Sequence, residues 1–488
     1  MDAVNNNSIA KRAADHSGYR ISETTIRSFL KQPRLIVNSV LLLIFSTAWI
    51  CELLYWFHTD AFGTSLNYWA YTDWLIDYSQ GFIRRGLSGE IWYLVPPAVS
   101  RLEFVAVLSW VVILAAAFGT VRLLARSWKT IHPLTLFGLL FLPALFFFYI
   151  HDHDTIARKE ILGYVTVLLH LFIIEKVFPL GGDSTLPEGS LRRYLLWLMP
   201  ITVILIPAII LVHEGNFLLF VPLHVMITLT ILQMKAPRNF LRSALWTGLV
   251  YLPAIIAFGA VYLTGTPSYD TLLALCNKWA AAGALQESTC VLSPDPLSGS
   301  TLPGSFNPMQ WTLAQAAHYT QEIIFMQWAT WLLILPVLGI CIWYLVRQAV
   351  YSILRSRSLQ SFSPQSAQRY TGVFFRKYFI IPLLISLPVY FTAYDYGRWF
   401  TVTCINFVIV AVSVNLPSLE FALRKKENAK ETAISDSQEH LDHRIVFYGV
   451  SILICILAVV LWLPHYCVFS CTIARNPLLF FSHNYIVH

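Results

Sequence analysis

Eleven stretches of this chain run for roughly 16 to 24 residues with almost no charge. A bilayer core of about 30 Å takes about 20 such residues to cross as a helix. The stretches are Leu35–Phe57, Phe104–Leu124, Leu134–Ile150, Ile161–Phe178, Tyr194–Val212, Phe217–Leu232, Ala244–Leu263, Ile323–Val346, Tyr378–Tyr394, Trp399–Leu416 and Ile445–Leu463. None alternates strictly between apolar and polar residues, so their pattern is helical. In lipid, only helices or closed barrels satisfy their own backbone. Charged residues make up 12% of the chain, about half the share of a soluble domain, and the mean hydropathy is +0.59. The expected fold is an all-α polytopic membrane protein with about 11 transmembrane helices (10–12).

Cytoplasmic loops carry the excess of Lys and Arg. With the amino terminus placed in the cytoplasm, 26 of the 34 basic residues fall on the inner side, so the net charge of +7 records topology rather than affinity for nucleic acid. The organisation expected is a cytoplasmic tail over 1–34, one transmembrane domain over 35–467 and an outer tail over 468–488. The long outer loops are 58–103 and 265–321, and the long inner loops are 347–377 and 417–444. No small-x-small cleavage site follows the first apolar run, which reads as a retained signal-anchor. Almost nothing separates the two spans flanking Asp395, so a re-entrant hairpin there is an alternative. Eight cysteines show no metal spacing. Cys276 and Cys290 share an outer loop and are expected to pair, with Cys290–Cys471 as the alternative.

The few outer charges gather in four motifs: "DWLIDYSQGFIRRG" from Asp73, "HDHDTIARKE" from His151, "HEGN" from His213 and "DYGR" from Asp395. Four ionisable clusters on one side predict one shared polar site. Asp73 and Asp77, four apart, would share a face if that stretch were helical. The loop aromatics, Trp69, Trp74, Tyr78 and Trp92 among them, suit an interfacial helix over Asn67–Tyr78, broken at Gly81. A carboxylate beside the Arg84–Arg85 pair suits transfer from a phosphate-activated substrate. The acid takes a proton from an attacking hydroxyl, and the guanidiniums hold the leaving phosphate. The bland alternative is a juxtamembrane salt bridge touching lipid headgroups. His151 and Asp154, with their neighbours, could ligate a divalent metal, but a hydrated loop explains them equally, so no metal or other cofactor is assigned. Arg158 and Lys159 stand at a helix start, where an anion is favoured and a cation is not. His213 and Glu214 end the fifth span and count as supporting polar groups. Asp395 and Arg398 are neighbours expected to pair. Glu52, one turn inside the first span, is read as snorkelling. His170 and His224 are read as hydrogen-bonded core residues.

An acid-bearing first outer loop with interfacial helices resembles that of the GT-C glycosyltransferases. "QGFIRRGLSGE" (Gln80–Glu90) is also similar to bacterial membrane proteins linked to surface polysaccharide. The resemblance implies a transferase or polysaccharide polymerase using a polyprenyl-phosphate-linked sugar or oligosaccharide at the outer face of the bacterial inner membrane. The catalytic acid would fall on Asp73 or Asp77, with Arg84 and Arg85 near the lipid phosphate; Arg158, Lys159 and Arg398, from the other outer motifs, are expected to bind it as well. No nucleic-acid partner is implied. The rival class is a transporter or lipid-linked-glycan flippase, which would place ionisable groups near the midplane.

Overall fold

The computed structural model describes residues 33–62, 72–93, 101–142, 145–146, 158–178, 189–235, 239–263, 267–282, 309, 314–318, 321, 335–356, 364–392, 396–413, 415–417, 449–454 and 456–457. Among the described residues there is no strand. The helices are α1 (Pro33–Phe62), α2 (Leu87–Tyr93), α3 (Arg101–Ser127), α4 (Pro133–Phe141), α5 (Ile161–Val177), α6 (Ser190–Val212) and α7 (Gly215–Lys235). They continue with α8 (Phe240–Val250), α9 (Leu252–Leu263), α10 (Tyr269–Ala281) and α11 (Leu335–Ser356). The segments Pro364–Phe375, Arg376–Ile380 and Ile381–Thr392 run on as α12, and α13 is Tyr396–Val412.

Among the described residues six helices are long and apolar enough to cross a membrane, seven if the bent pair α8–α9 is one span; α13 is a shorter apolar helix. Leu43, Phe118, Ile204, Leu241, Leu245, Ile256 and Leu263 point outward from the bundle. In water such a belt would be an aggregation surface, and in a bilayer it is the lipid contact. The chain is thus an α-helical integral membrane protein. By contrast α5 and α7 are buried along most of their length and are apolar around their whole circumference, the pattern of a central helix.

Prolines set the breaks. A helical proline clashes with the carbonyl four residues before it. Pro207, Pro253 and Pro382 place that carbonyl at Val203, Leu249 and Tyr378. Val203 lies in a π-helical turn, Ile201–Leu205, and Tyr378 in another, Arg376–Ile380. Just after Leu249, at Tyr251, the helix gives way to a 55° bend between α8 and α9. These are recognised ways of absorbing the clash.

Polar ties run between helices. Asn38 donates to the carbonyls of Trp128 and Ile131 at 2.7 and 2.9 Å, fixing the start of α1 to the α3–α4 turn. Arg122 and Arg126 of α3 both reach Glu175 of α5. In the bundle interior an unbroken chain joins Tyr251, Thr228, Tyr194, His170, His224 and Thr166 over 2.6–3.2 Å. The two imidazoles meet through their Nδ1 atoms, so one donates and the other accepts. With His170 the donor, Tyr194 donates to His170 Nε2, His224 Nε2 donates to Thr166, and Thr166 donates to the Gly163 carbonyl. Each group then has a partner, as the hydrogen-bonded core reading of these histidines requires. His170→Leu should lower thermal stability by about 1–2 kcal/mol. The double variant His170→Leu/His224→Leu should cost less than the two singles summed, because the singles leave a buried imidazole nitrogen without its partner.

Candidate functional site

The loop before α2 folds onto itself. Leu75 N–H donates to the Thr72 carbonyl in a turn, and residues 74–79 are not helical. This corrects the expected interfacial helix over residues 74–78, though Thr72 and Asp73 are helical, and with it the shared face of Asp73 and Asp77. Trp69 lies outside the described residues. The reason is packing: Trp74, Leu75, Ile76 and Trp92 are buried together, and Trp74 and Trp92 lie 6.3 Å apart. These tryptophans form the loop's own core instead of a headgroup belt. Glu90 accepts from Tyr78 N–H at 2.8 Å, and Gly89 N–H donates to the Ile76 carbonyl at 3.0 Å. A Cβ on Gly89 would lie 2.3 Å from that carbonyl oxygen and 2.6 Å from Asp77 Cβ. Gly89→Ala should therefore cost about 1–3 kcal/mol by overpacking and displace Asp77, readable as a lower unfolding temperature.

The turn sends the two acids to different partners. Asp77 accepts from Lys278 of α10 at 2.8 Å and from Ser79 N–H at 2.8 Å. Asp73 faces Arg85 Nη1 at 3.2 Å and Lys159 Nζ at 3.4 Å. Arg85 also grips Glu214 in bidentate fashion, Nε to Oε2 at 2.9 Å and Nη2 to Oε1 at 2.8 Å. Arg85 is the one non-glycine with positive φ among the described residues, at 66°. That left-handed backbone costs about 1–2 kcal/mol, and the contacts with Glu214 and Asp73 hold it. Arg84 donates to the Met309 carbonyl at 2.8 Å and stays within electrostatic reach of Glu214, Arg85 and Asp73.

Just before α5, Lys159 and Glu160 are wholly buried and Arg158 is nearly so. Glu160 Oε1 lies 3.5 Å from His213 Nε2 and 3.6 Å from Arg398 Nη2. Arg398 stacks on Trp399, its guanidinium carbon 4.3 Å from the ring centre. His213 Nδ1 accepts from Gly215 N–H at 3.0 Å, so the neutral ring carries its proton on Nε2, toward Glu160.

Burial alone would raise the Asp73 carboxyl, but Lys159 and then Arg85 hold it well below the carboxylate range. Glu214 is likewise pushed up by burial and drawn well down by Arg85. Burial lowers the Lys159 ammonium to about 8 against the pull of Asp73, and lowers the His213 imidazolium to about 4. Against Glu160, burial is opposed chiefly by Arg398, which leaves its carboxyl below the ordinary range.

Residues from all four outer motifs thus meet: Asp73, Arg84 and Arg85; Arg158 and Lys159; His213 and Glu214; Arg398. Asp77 is turned aside to Lys278. His151, Asp154, Asp395 and Cys290 lie outside the described residues. Cys276 is disulfide-bonded and buried. Among the described residues no group of His, Cys, Asp and Glu has the arrangement of a metal site. Two participants carried no assigned role: Glu160, hidden at the end of its motif, and Lys278. Glu52 is buried instead of snorkelling. An apolar groove of about 60 Å³ lies between α1, α3, α5 and α13, lined by Phe45, Trp49, Ile113, Tyr164, Ile405 and Ile409 among others; its lining residue Ile161 directly follows Glu160 of the cluster. No family model, curated protein or solved structure matches this chain.

Proposed function

We propose that the protein is a membrane glycosyltransferase or polysaccharide polymerase of GT-C type. It has about eleven spans with its amino terminus inside, and takes sugar from a polyprenyl-phosphate-linked donor at the outer face of a bacterial inner membrane. The observation that carries the reading is the gathering of charges from four separate connections beside an apolar groove. Among the described residues the cluster holds five cationic side chains, Arg84, Arg85, Arg158, Lys159 and Arg398, against the carboxylates Asp73, Glu160 and Glu214. That balance favours an anion, and a lipid phosphate joins an anion to a long apolar tail. The groove has the chemistry for the tail, and the cluster that for the head. A transporter would be favoured by polar groups at mid-span, but the histidine chain is buried and internally hydrogen-bonded, which makes it a tie between helices. The test is the set of lipid-linked glycans in a deletion strain. A polyprenyl-linked intermediate should accumulate and disappear on complementation; an unchanged set would remove the enzymatic reading.

A further inference from the structure

Four carboxylates stand in or beside the cluster, and three are fully engaged. Asp73 has one oxygen on Arg85 and the other on Lys159. Asp77 has one on Lys278 and the other on Ser79 N–H. Both oxygens of Glu214 are held by Arg85. Glu160 differs: its carboxylate is wholly buried, and apart from an interaction with its own backbone N–H neither oxygen has a hydrogen bond from another residue. Arg398 and the His213 Nε2–H face it from just beyond hydrogen-bond distance, at 3.6 and 3.5 Å. A buried acceptor left in this state is costly, and such exceptions call for an explanation.

Its position supplies one. Glu160 precedes Ile161 and shares a helix face with Tyr164, and both of these line the apolar groove. Arg398 stands on the face of α13 that carries Ile405 and Ile409, also groove residues. The Glu160–Arg398 pair does not line the groove itself but lies beyond the Ile161 end of it, where the head of a lipid-borne substrate would lie.

We propose that Glu160, rather than Asp73 or Asp77, is the group that accepts the acceptor's proton, an assignment that rests on the transferase reading above. In the step, the acceptor hydroxyl gives its proton to a Glu160 oxygen. Its oxygen forms a bond to the anomeric carbon, and the bond from that carbon to the phosphate oxygen breaks. The electron pair leaves with the phosphate, whose charge meets the cationic side chains of the cluster. His213, hydrogen-bonded by Gly215, is a positioning residue for the carboxylate.

The experiment has two readouts on the same variants. One is product formation, measured as lipid-linked glycan by mass spectrometry in a complemented deletion strain. The other is thermal stabilisation of the purified full chain in nanodiscs by added polyprenyl monophosphate. Glu160→Gln should lose about 100- to 10,000-fold in product formation and keep the stabilisation. Glu160→Asp keeps the charge but withdraws it by about 1 Å, and should lose about 100-fold with the fold intact. It decides the matter if the glutamine variant does not fold. Product within tenfold of wild type in a folded Glu160→Gln or Glu160→Asp protein would overturn the assignment and leave the transferase reading standing. A wild-type protein that polyprenyl phosphate does not stabilise, in a strain whose glycans ignore the deletion, would overturn both.

Discussion

Arg85→Ala should be the most damaging single substitution in the cluster. It strips Glu214 of a bidentate partner and Asp73 of one of its two cations, at carboxylates drawn from connections 129 residues or more apart. Removing one member of a buried ion pair costs about 3–5 kcal/mol. Glu214 keeps 22% of its side-chain surface and Arg85 keeps 20%, so water recovers part of that loss and the lower end is expected. Asp73, 2% exposed, has no such relief. Product formation should fall below detection, because the left-handed turn at Arg85 loses what holds it. Arg85→Lys should recover only part of either property, since an ammonium cannot reproduce the two-pronged contact. The measurement is an unfolding midpoint in detergent beside the product assay.

The second large effect is a dependence on pH with opposite signs for activity and stability. Lys159 has a pKa of about 8 against an ordinary 10.5, because burial outweighs the attraction of Asp73. It is charged below about pH 8 and neutral above. If its charge helps hold an anionic head, activity should fall as pH rises through about 8. Stability moves the other way. Between about 8 and 10.5 the unfolded chain binds the proton that the folded chain has released, so this residue's contribution to stability rises with pH. Asp73 supports the charged form, so Asp73→Asn should move the alkaline limb of activity to lower pH. Lys159→Arg, which does not titrate in this range, should remove the limb. A profile of product formation between pH 6 and 10 for the three proteins checks both shifts. An alkaline limb unchanged in Lys159→Arg would assign it to another group.

Much of the helical architecture was legible in the chain because lipid imposes simple requirements: length, apolarity and a self-satisfied backbone. The kinks were not: Pro207, Pro253 and Pro382 accompany breaks, whereas Pro222 and Pro388 lie inside helices that run on, and nothing in the sequence alone separates the two sets. The site was legible at the level of which connections take part, since a charge at a membrane surface must have a reason. Its pairings were not. Arg85 and Glu214 are 129 residues apart, and no local pattern couples them. Asp73 and Asp77 looked like helix neighbours by spacing, yet burial of Trp74, Leu75 and Ile76 forces a turn that sends them to separate partners. Glu160 was overlooked because its neighbours Arg158 and Lys159 carried the conspicuous charge. Its burial, which makes it informative, appears only in three dimensions.

The central claim is that the outer connections close into one site, and the contact that states it most directly is Arg85–Glu214. A double-mutant cycle of Arg85→Ala, Glu214→Ala and the pair, read by reversible unfolding in mixed micelles, measures that contact. The expected result is a coupling of about 1–3 kcal/mol between the two substitutions. Additivity within about 0.5 kcal/mol would mean that the two side chains do not meet, and would contradict the shared site.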